Sequence, residues 1–469
     1  MSQQSSQPFD RATQSVSRSV QPQRSPEQIA AQHLETSREV VELLAGPVAS
    51  RGFTVRWWDD SEDVSAPSRF TLTLGHPGAL RRMLMPPTEL ALAEAFIRKD
   101  WDADDLNAAF GMQEAFASAS SPAKVARLLP LLRSLPTDDL PPEAQLQRPK
   151  PGFKSGRLHT KEQDANDVRS HYDLGNDFYQ LFLDANMVYS CAYFETPSVS
   201  LEAAQTAKLE LICRKLRLQP DEHLLDIGCG WGGLLIHAAR HYGVRGTGIT
   251  LSERQAELAR ERIREAGLEE RIDIQVHDYR DLPRGTSFDK IVSVGMVEHV
   301  GRPNIKTYFK TAYKLLAPGG VFLCHSIVET RVPQAPLPKL VHALTWRSTS
   351  FLHHYIFPGG ETPYPSELLS AAESVGFEPR DLESLREHYT ITAQHWAQRL
   401  EMNREEAERM VGEATYRTYR LYLNAIVRTF KTRVNGLNQI LLSKSFADGS
   451  SGLPLKRTDW YETPITDSL

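Results

Sequence analysis

Four cysteines in 469 residues are few, and Cys191, Cys213, Cys229 and Cys324 form no CxxC pair and no zinc-like spacing. The sequence therefore offers no metal centre and no disulfide framework, and it suits a reducing compartment. Long apolar runs are also missing: none approaches the eighteen or so residues of a membrane span. The first twenty-five residues are rich in Ser and Gln and lack the apolar core of a signal peptide. Nor does one sign of charge dominate. With 54 basic and 59 acidic residues the net charge is -5, which gives no global attraction to nucleic acid or to a membrane. Any anionic partner must be met by a local basic patch.

What is present is globular. Hydrophobic residues make up 41% and charged residues 24%, and the length calls for two domains. Residues 1–27 read as a disordered tail. Residues 28–133 read as a small mixed α/β domain. It has a helix-like stretch at Glu35–Leu44, strand-like runs at Phe53–Trp58 and Arg69–Leu74, and helical segments at Pro87–Arg98 and Asp104–Phe116. Residues 134–166 form a linker with Pro136, Pro141, Pro142, Pro149 and Pro151 beside Lys150, Lys154, Arg157 and Lys161. From 167 to 447, apolar runs rich in β-branched residues (His223–Ile227, Val244–Ile249, Ile272–His277, Lys290–Val294, Val321–Cys324) alternate with helical segments. These helices are expected at Gly233–His241, Ser252–Ala266 and Lys306–Leu316. Such alternation predicts an α/β fold with a doubly wound parallel sheet. Residues 448–469 are left as a C-terminal tail.

The phrase Asp226-Ile227-Gly228-Cys229-Gly230-Trp231-Gly232-Gly233 follows the first of these strands and opens a helix. Glycines there permit a tight turn and a close ligand, and the helix N-terminus favours negative charge. Gly228, Gly230 and Gly233 satisfy GxGxxG, so a dinucleotide site is the rival reading. Two features favour S-adenosylmethionine instead. Asp226 stands just before the first glycine, where a dinucleotide strand usually has an apolar residue. The second strand ends in Gly248-Ile249-Thr250-Leu251-Ser252, without an acid for a ribose; Glu253 comes one residue later. Ser252 and Gln255 also fit a reciprocal helix cap. Asp278, in His277-Asp278-Tyr279-Arg280 at the end of the third strand, either accepts from an adenine amino group or caps the next loop.

Glycine loops identify a cofactor, not a reaction. Glu298 and His299 follow the fourth strand and His325 follows the fifth, while HYDLGNDFY (171–179) and MVYSCAYF (187–194) lie upstream of the first. With LDIGCGWGG, GITLSERQ, VEHVG, HYIFPGG and YLNAIVRTFKTRVNGLNQ, these blocks resemble the cyclopropane-fatty-acyl-phospholipid synthase family, which includes the mycolic acid cyclopropane synthases. The resemblance runs from about Arg157 to Lys444, and more weakly through LAEAFIRKDWDADDL in the N-terminal domain. It implies a class I methyltransferase domain with helical additions. The implied cofactor contacts are Tyr189, Ser190, Asp226, Gly228, Gly230, Gly232, Thr250, Leu251, Gln255, Asp278 and Tyr279.

The implied reaction adds a one-carbon unit from S-adenosylmethionine to an acyl-chain double bond, with ring closure on loss of a proton to a bound bicarbonate. Carried over motif by motif, the bicarbonate holders are Cys191, Glu298, His325, Tyr389 and the backbone of Ile327. Taken alone, Cys191 reads as a small buried hydrophobe, His325 as a satisfied strand-end histidine and Glu298 as a cap partner. The motif around Tyr389 is short and departs from the family after Thr390. Dry alignment of a weak alkene nucleophile and aromatic faces for the cation are what this chemistry requires.

Thr415–Ala447 has no acid but carries Arg417, Arg420, Arg428, Lys431, Arg433 and Lys444, with apolar residues at helical spacing. One reading is a helix that closes the core with a solvated basic face; the other sets that face near phospholipid headgroups. The partner implied is an unsaturated phospholipid, reached by a cytoplasmic protein in peripheral contact with the inner membrane face, with no nucleic acid involved. Family resemblance suggests a homodimer. Two other endings stay open: a methylene- or methyl-branched chain from the same cation, and a lipid-binding protein without catalysis.

Overall fold

A computed structural model describes residues 25–111, 121–137, 160–164, 174–283, 285–330 and 350–461. Residues 1–24, most of the 134–166 linker, His171, Tyr172 and Asp173, and residues 462–469 lie outside that description. Within it the chain forms two sheets. The first is small and mixed: β1 (Thr54–Arg56), β2 (Glu62–Asp63), β3 (Thr71–Leu74) and β4 (Trp101–Ala103) in the order β2-β1-β3-β4, with β1 and β3 parallel. Helices Pro26–Ala45, Ala79–Leu84 and Glu89–Ile97 accompany it. Pro26–Ala45 starts earlier than periodicity suggests, because Ser25 and Gln28 complete a capping box ahead of Pro26.

The second sheet has seven strands in the order β10-β11-β9-β8-β5-β6-β7. β5 (His223–Ile227), β6 (Arg245–Thr250), β7 (Ile272–Val276), β8 (Phe288–Val294) and β9 (Leu316–Glu329) run parallel. Their apolar residues are covered on both faces, which is why the strands read as near-continuous hydrophobic runs. Helices Gly233–Tyr242, Glu253–Glu265 and Ile305–Leu315 fall where the alternation predicts. The reversal of strand order lies between β5 and β8, and the carboxyl ends of those strands open onto the ligand crevice.

One edge differs from the sequence reading. β11 (Asn435–Ser443) adds antiparallel to β9 and β10 (Glu378–Ser384) antiparallel to β11, so the sheet is parallel at its centre and mixed at one side. The Thr415–Ala447 stretch is therefore a helix, Glu413–Lys431, followed by a buried strand. The basic face expected on that helix is not solvated at Arg417 and Arg420, which are 4% and 9% exposed. Both reach Asp102 of β4 at 2.7 Å; Arg417 also donates to the carbonyls of Phe96 and Trp101, and Arg420 to that of Ala103. These guanidiniums join the N-terminal unit to the catalytic one, since a buried charge is tolerated only when paired. Lys444 is likewise turned inward, onto the carbonyls of Tyr313 and Leu316. Beyond β11, residues 448–461 fold back, and Trp460 is buried beneath Lys215, Arg217 and Arg457.

Candidate active site

β5 ends at Ile227 and the chain turns sharply. Gly228, Gly230 and Gly232 take φ of +86°, +53° and +78°, a region that a side chain would strain. The Gly228 and Cys229 N–H groups donate to Ile249 O of β6, and Gly232 starts the Gly233–Tyr242 helix. A Cβ on Gly233 would lie 2.8 Å from Asn186 O, so the glycine is also required for packing. Above this turn lies a cavity that opens to solvent. Ten of the expected cofactor residues line it: Tyr189, Ser190, Asp226, Gly228, Gly230, Thr250, Leu251, Gln255, Asp278 and Tyr279. Gly232 does not; its place is against Ala259.

The lining has chemical polarity. Asp226 is 3% exposed, its Oδ1 has no partner, and burial pushes its carboxyl up to about 7. Ser190 Oγ accepts from Lys208 Nζ at 3.0 Å. At the other end, Asp278 accepts from Arg280 N at 2.8 Å and grips the Arg280 guanidinium, which also binds Asp164. The capping role weighed for Asp278 is thus realised, and Arg280 occupies both its oxygens. Ser252 Oγ accepts from Gln255 N at 3.3 Å, as a cap should. The reciprocal half of that box is absent: Gln255 Oε1 accepts instead from Thr250 Oγ1 at 2.8 Å, and Ser252 N donates to Thr250 Oγ1. Glu253 is exposed on the outside and takes no part in the cavity wall.

The upstream motifs brace this cavity. Asn176 Oδ1 accepts from Trp231 Nε1 of the glycine loop at 2.8 Å, and Tyr179 packs on Trp231 with ring centroids 5.4 Å apart. Gln205, one turn before Lys208 in the Leu201–Leu216 helix, donates to the carbonyls of Val188 and Ser190. Sequence reading passed over that helix, and with it Lys208; its apolar pattern carries no motif that marks a polar pair as facing a ligand.

The five residues assigned to the reacting centre lie apart from this lining, in two groups. In one, Glu298 Oε1 accepts from Ile327 N at 2.5 Å. Ile327 and His325 share one face of β9, two residues apart. His325 Nδ1 meets Gln439 Nε2 of β11 at 3.2 Å; with that amide donating, the ring proton sits on Nε2. His325 Nε2 and Glu298 Oε2 are both buried without a partner. Burial pushes Glu298 up to about 7 and His325 down, the latter helped by Lys208 and Lys215. In the other group, Cys191 is fully buried, and its thiol donates to the carbonyls of Ala192 and Leu385. Burial raises that thiol well above the ordinary range, so it stays protonated. Tyr389 N donates to Leu385 O, and its ring packs 4.4 Å from Phe430. β11 ties the groups together: Leu437 pairs with Ile327, and Leu437 O accepts from Leu385 N at 2.8 Å. The HYIFPGG block bears on Glu298 from outside. Glu361 N, one residue past the block, donates to Glu298 O, and Phe357 packs edge-on to His299.

All four cysteines are buried and free, and Cys229 lies in the cavity wall. Among the described residues no helix is long and apolar enough to cross a membrane.

The family model described as mycolic acid cyclopropane synthetase matches residues 159–440. A probable fatty acid methyltransferase of Pseudomonas putida is 43% identical over 305 residues, covering 65% of this chain and 76% of that one. The cyclopropane-fatty-acyl-phospholipid synthase of Escherichia coli K12 is 38% identical over 281 residues, covering 60% and 68%. Among solved structures, the mycolic acid cyclopropane synthase CmaA1 complexed with SAH and CTAB is 33% identical, with a TM-score of 0.55 over 59% of this chain and 97% of that one. With a glycine-turn cavity at the switch point of its sheet, the chain belongs to the mycolic acid cyclopropane synthetase family and is an S-adenosylmethionine-dependent methyltransferase.

Proposed function

We propose that the protein adds a methylene unit to the cis double bond of an unsaturated phospholipid acyl chain and closes it to a cyclopropane. The observation that carries this reading is the pair of buried, unpartnered atoms Glu298 Oε2 and His325 Nε2. Each costs on the order of 1–3 kcal/mol when left unsatisfied, and a ligand that bonds both would offset that cost.

S-adenosylmethionine, when bound, supplies an electrophilic methyl to which the alkene gives its π pair. The chain's own residues align that encounter and keep it dry. Tyr179, Tyr189, Trp396 and Tyr419 form a contiguous aromatic wall, with Tyr189 centroid distances of 5.4 Å to Tyr179 and 5.2 Å to Trp396. Such faces stabilise a developing carbocation without capturing it. Loss of a proton from the transferred carbon then lets the freed C–H pair close the ring.

Bicarbonate, when bound, supplies the base. Its fit rests on donor and acceptor chemistry: His325 Nε2–H offers a donor to an anionic oxygen, and Glu298 Oε2 accepts a hydroxyl. The Ile327 N–H serves Glu298 and the Cys191 S–H serves neighbouring carbonyls, so both would turn to the anion on its binding, with the Tyr389 hydroxyl completing the set of candidate holders. Neutral His325 suits an anion that must remain basic. Peripheral contact with an anionic membrane surface, at the cytoplasmic face, follows from the substrate class.

A second reading keeps the alkylation and ends in a methyl- or methylene-branched chain, favoured by the likeness to a probable fatty acid methyltransferase. Purified protein incubated with S-adenosylmethionine and vesicles of a cis-monounsaturated phospholipid should release S-adenosylhomocysteine. Saturated vesicles should give none. Equal release from both would remove the alkene from the reaction.

A further inference from the structure

A second cavity, of about 450 Å³, lies where the N-terminal unit meets the Glu413–Lys431 helix. That volume falls within the range of about 300–1,000 Å³ usual for ligand sites. Leu92 and Trp101 line it from the N-terminal unit, Leu421 and Ala425 from the helix, with Phe351 beside them. Two charged residues border it: Arg428, and Glu89, which accepts from Phe351 N at 3.2 Å. The helix stands between this cavity and the reacting centre. On one face Tyr419 meets Tyr179, Tyr422 meets Tyr189, and Phe430 packs on Tyr389. Leu421, Ala425 and Arg428 are spaced to share the opposite face. Thr432 and Val434 continue the cavity wall past the end of the helix, beside the exposed Lys431 and Arg433.

A diacyl phospholipid brings two chains to a site that alkylates one of them. The unreacted chain is drawn from the bilayer with its neighbour, and every methylene of it left in water is unfavourable. We propose that the cavity between the N-terminal unit and the Glu413–Lys431 helix receives this second acyl chain. The two chains then run along opposite faces of one helix, about 10–12 Å across. Their glycerol lies at the helix's C-terminal end, with the phosphate among Arg428, Lys431 and Arg433. The lining suits a hydrocarbon, and the cations at its mouth suit a phosphodiester. The inference rests on acyl-chain alkylation as the reaction and adds to it selection of a two-chain lipid through the N-terminal unit.

Ala425→Trp fills the cavity from the helix side. Its substrates are a cis-monounsaturated diacyl phospholipid and the lysophospholipid with the same unsaturated chain, both in detergent micelles. The ratio of their KM values, diacyl over lyso, should rise about tenfold in the variant, as for roughly two buried methylenes lost. Leu92→Trp, from the opposite wall, should do the same and carries the test if Ala425→Trp does not fold. An unchanged ratio would overturn the proposal. A diacyl phospholipid with a photoreactive diazirine on its saturated chain gives a reading that needs no turnover. It should label peptides containing Leu92 or Leu421, and labelling elsewhere alone would also overturn the proposal. If that labelling is found while neither lipid is alkylated, the reaction is refuted and the occupant of the cavity stands.

Discussion

Glu298 Oε1 takes the Ile327 N–H at 2.5 Å, while its other oxygen is buried without a partner. One arm of the carboxyl is thus a strut between the ends of β8 and β9, and the other is free for chemistry. Glu298→Gln keeps an oxygen for the strut and removes the acid. It should lower kcat by roughly 10²–10⁴-fold while changing cofactor affinity little. Single-turnover assays with parallel calorimetry check this; a variant with unchanged turnover removes Glu298 from the reacting centre.

The same burial gives a pH signature in stability. Glu298 lies at about 7 in the folded chain against an ordinary 4.5, so the folded state holds its proton more tightly. The stabilisation from that proton is complete below about pH 4.5 and is lost as pH rises through 7. Glu298→Gln abolishes the titration. The unfolding free energy of the wild type relative to the variant should therefore fall by on the order of 3 kcal/mol between pH 4.5 and 8. Denaturant titrations at the two pH values read it; a difference independent of pH contradicts the burial of an acid there.

Asp102 joins Arg417 and Arg420, both at 2.7 Å, across the junction of the two units. Asp102→Ala leaves Arg417 with the Phe96 and Trp101 carbonyls alone and Arg420 with Glu401 and the Ala103 carbonyl, a loss of about 1–3 kcal/mol. The expected result is an N-terminal unit that unfolds before the catalytic one, seen as a split thermal transition and early proteolysis between them. A single transition at the wild-type temperature would show the junction to rest on apolar packing alone.

Much of this was legible beforehand. Asp226 and the glycines announce a cofactor turn because positive φ and close approach leave few other residues possible. The parallel strands announce themselves because burial on both faces leaves continuous apolar runs. Lys208 was not legible, since its place beside the cavity depends on a fold that brings a helix face to Ser190. Nor was β11: Leu437, Ile440 and Leu441 extend the apolar register of the preceding helix, and only β9 beside them makes the segment a strand. Arg417 and Arg420 read as a surface patch because their partner, Asp102, lies more than three hundred residues away.

With those two arginines sequestered, any electrostatic contact with lipid falls to cations such as Lys431 and Arg433, which are exposed. A K431E/R433E variant should bind anionic vesicles more weakly than the wild type at low salt, the two converging as salt is raised. Identical binding at every ionic strength would mean that docking is apolar.

Removing dissolved bicarbonate should slow the wild-type enzyme, and adding it back should restore the rate. A rate indifferent to bicarbonate would transfer the role of base to a side chain, with His325 first in line.

The most direct test is the lipid product. Phospholipids from a host expressing the protein should gain the mass of one CH2 on monounsaturated chains, with cyclopropane methylene protons in the NMR spectrum, and neither should appear with Glu298→Gln. Unaltered chains, or a gain of CH2 that retains an olefinic or methyl-branch signal, would contradict ring formation as the reaction of this protein.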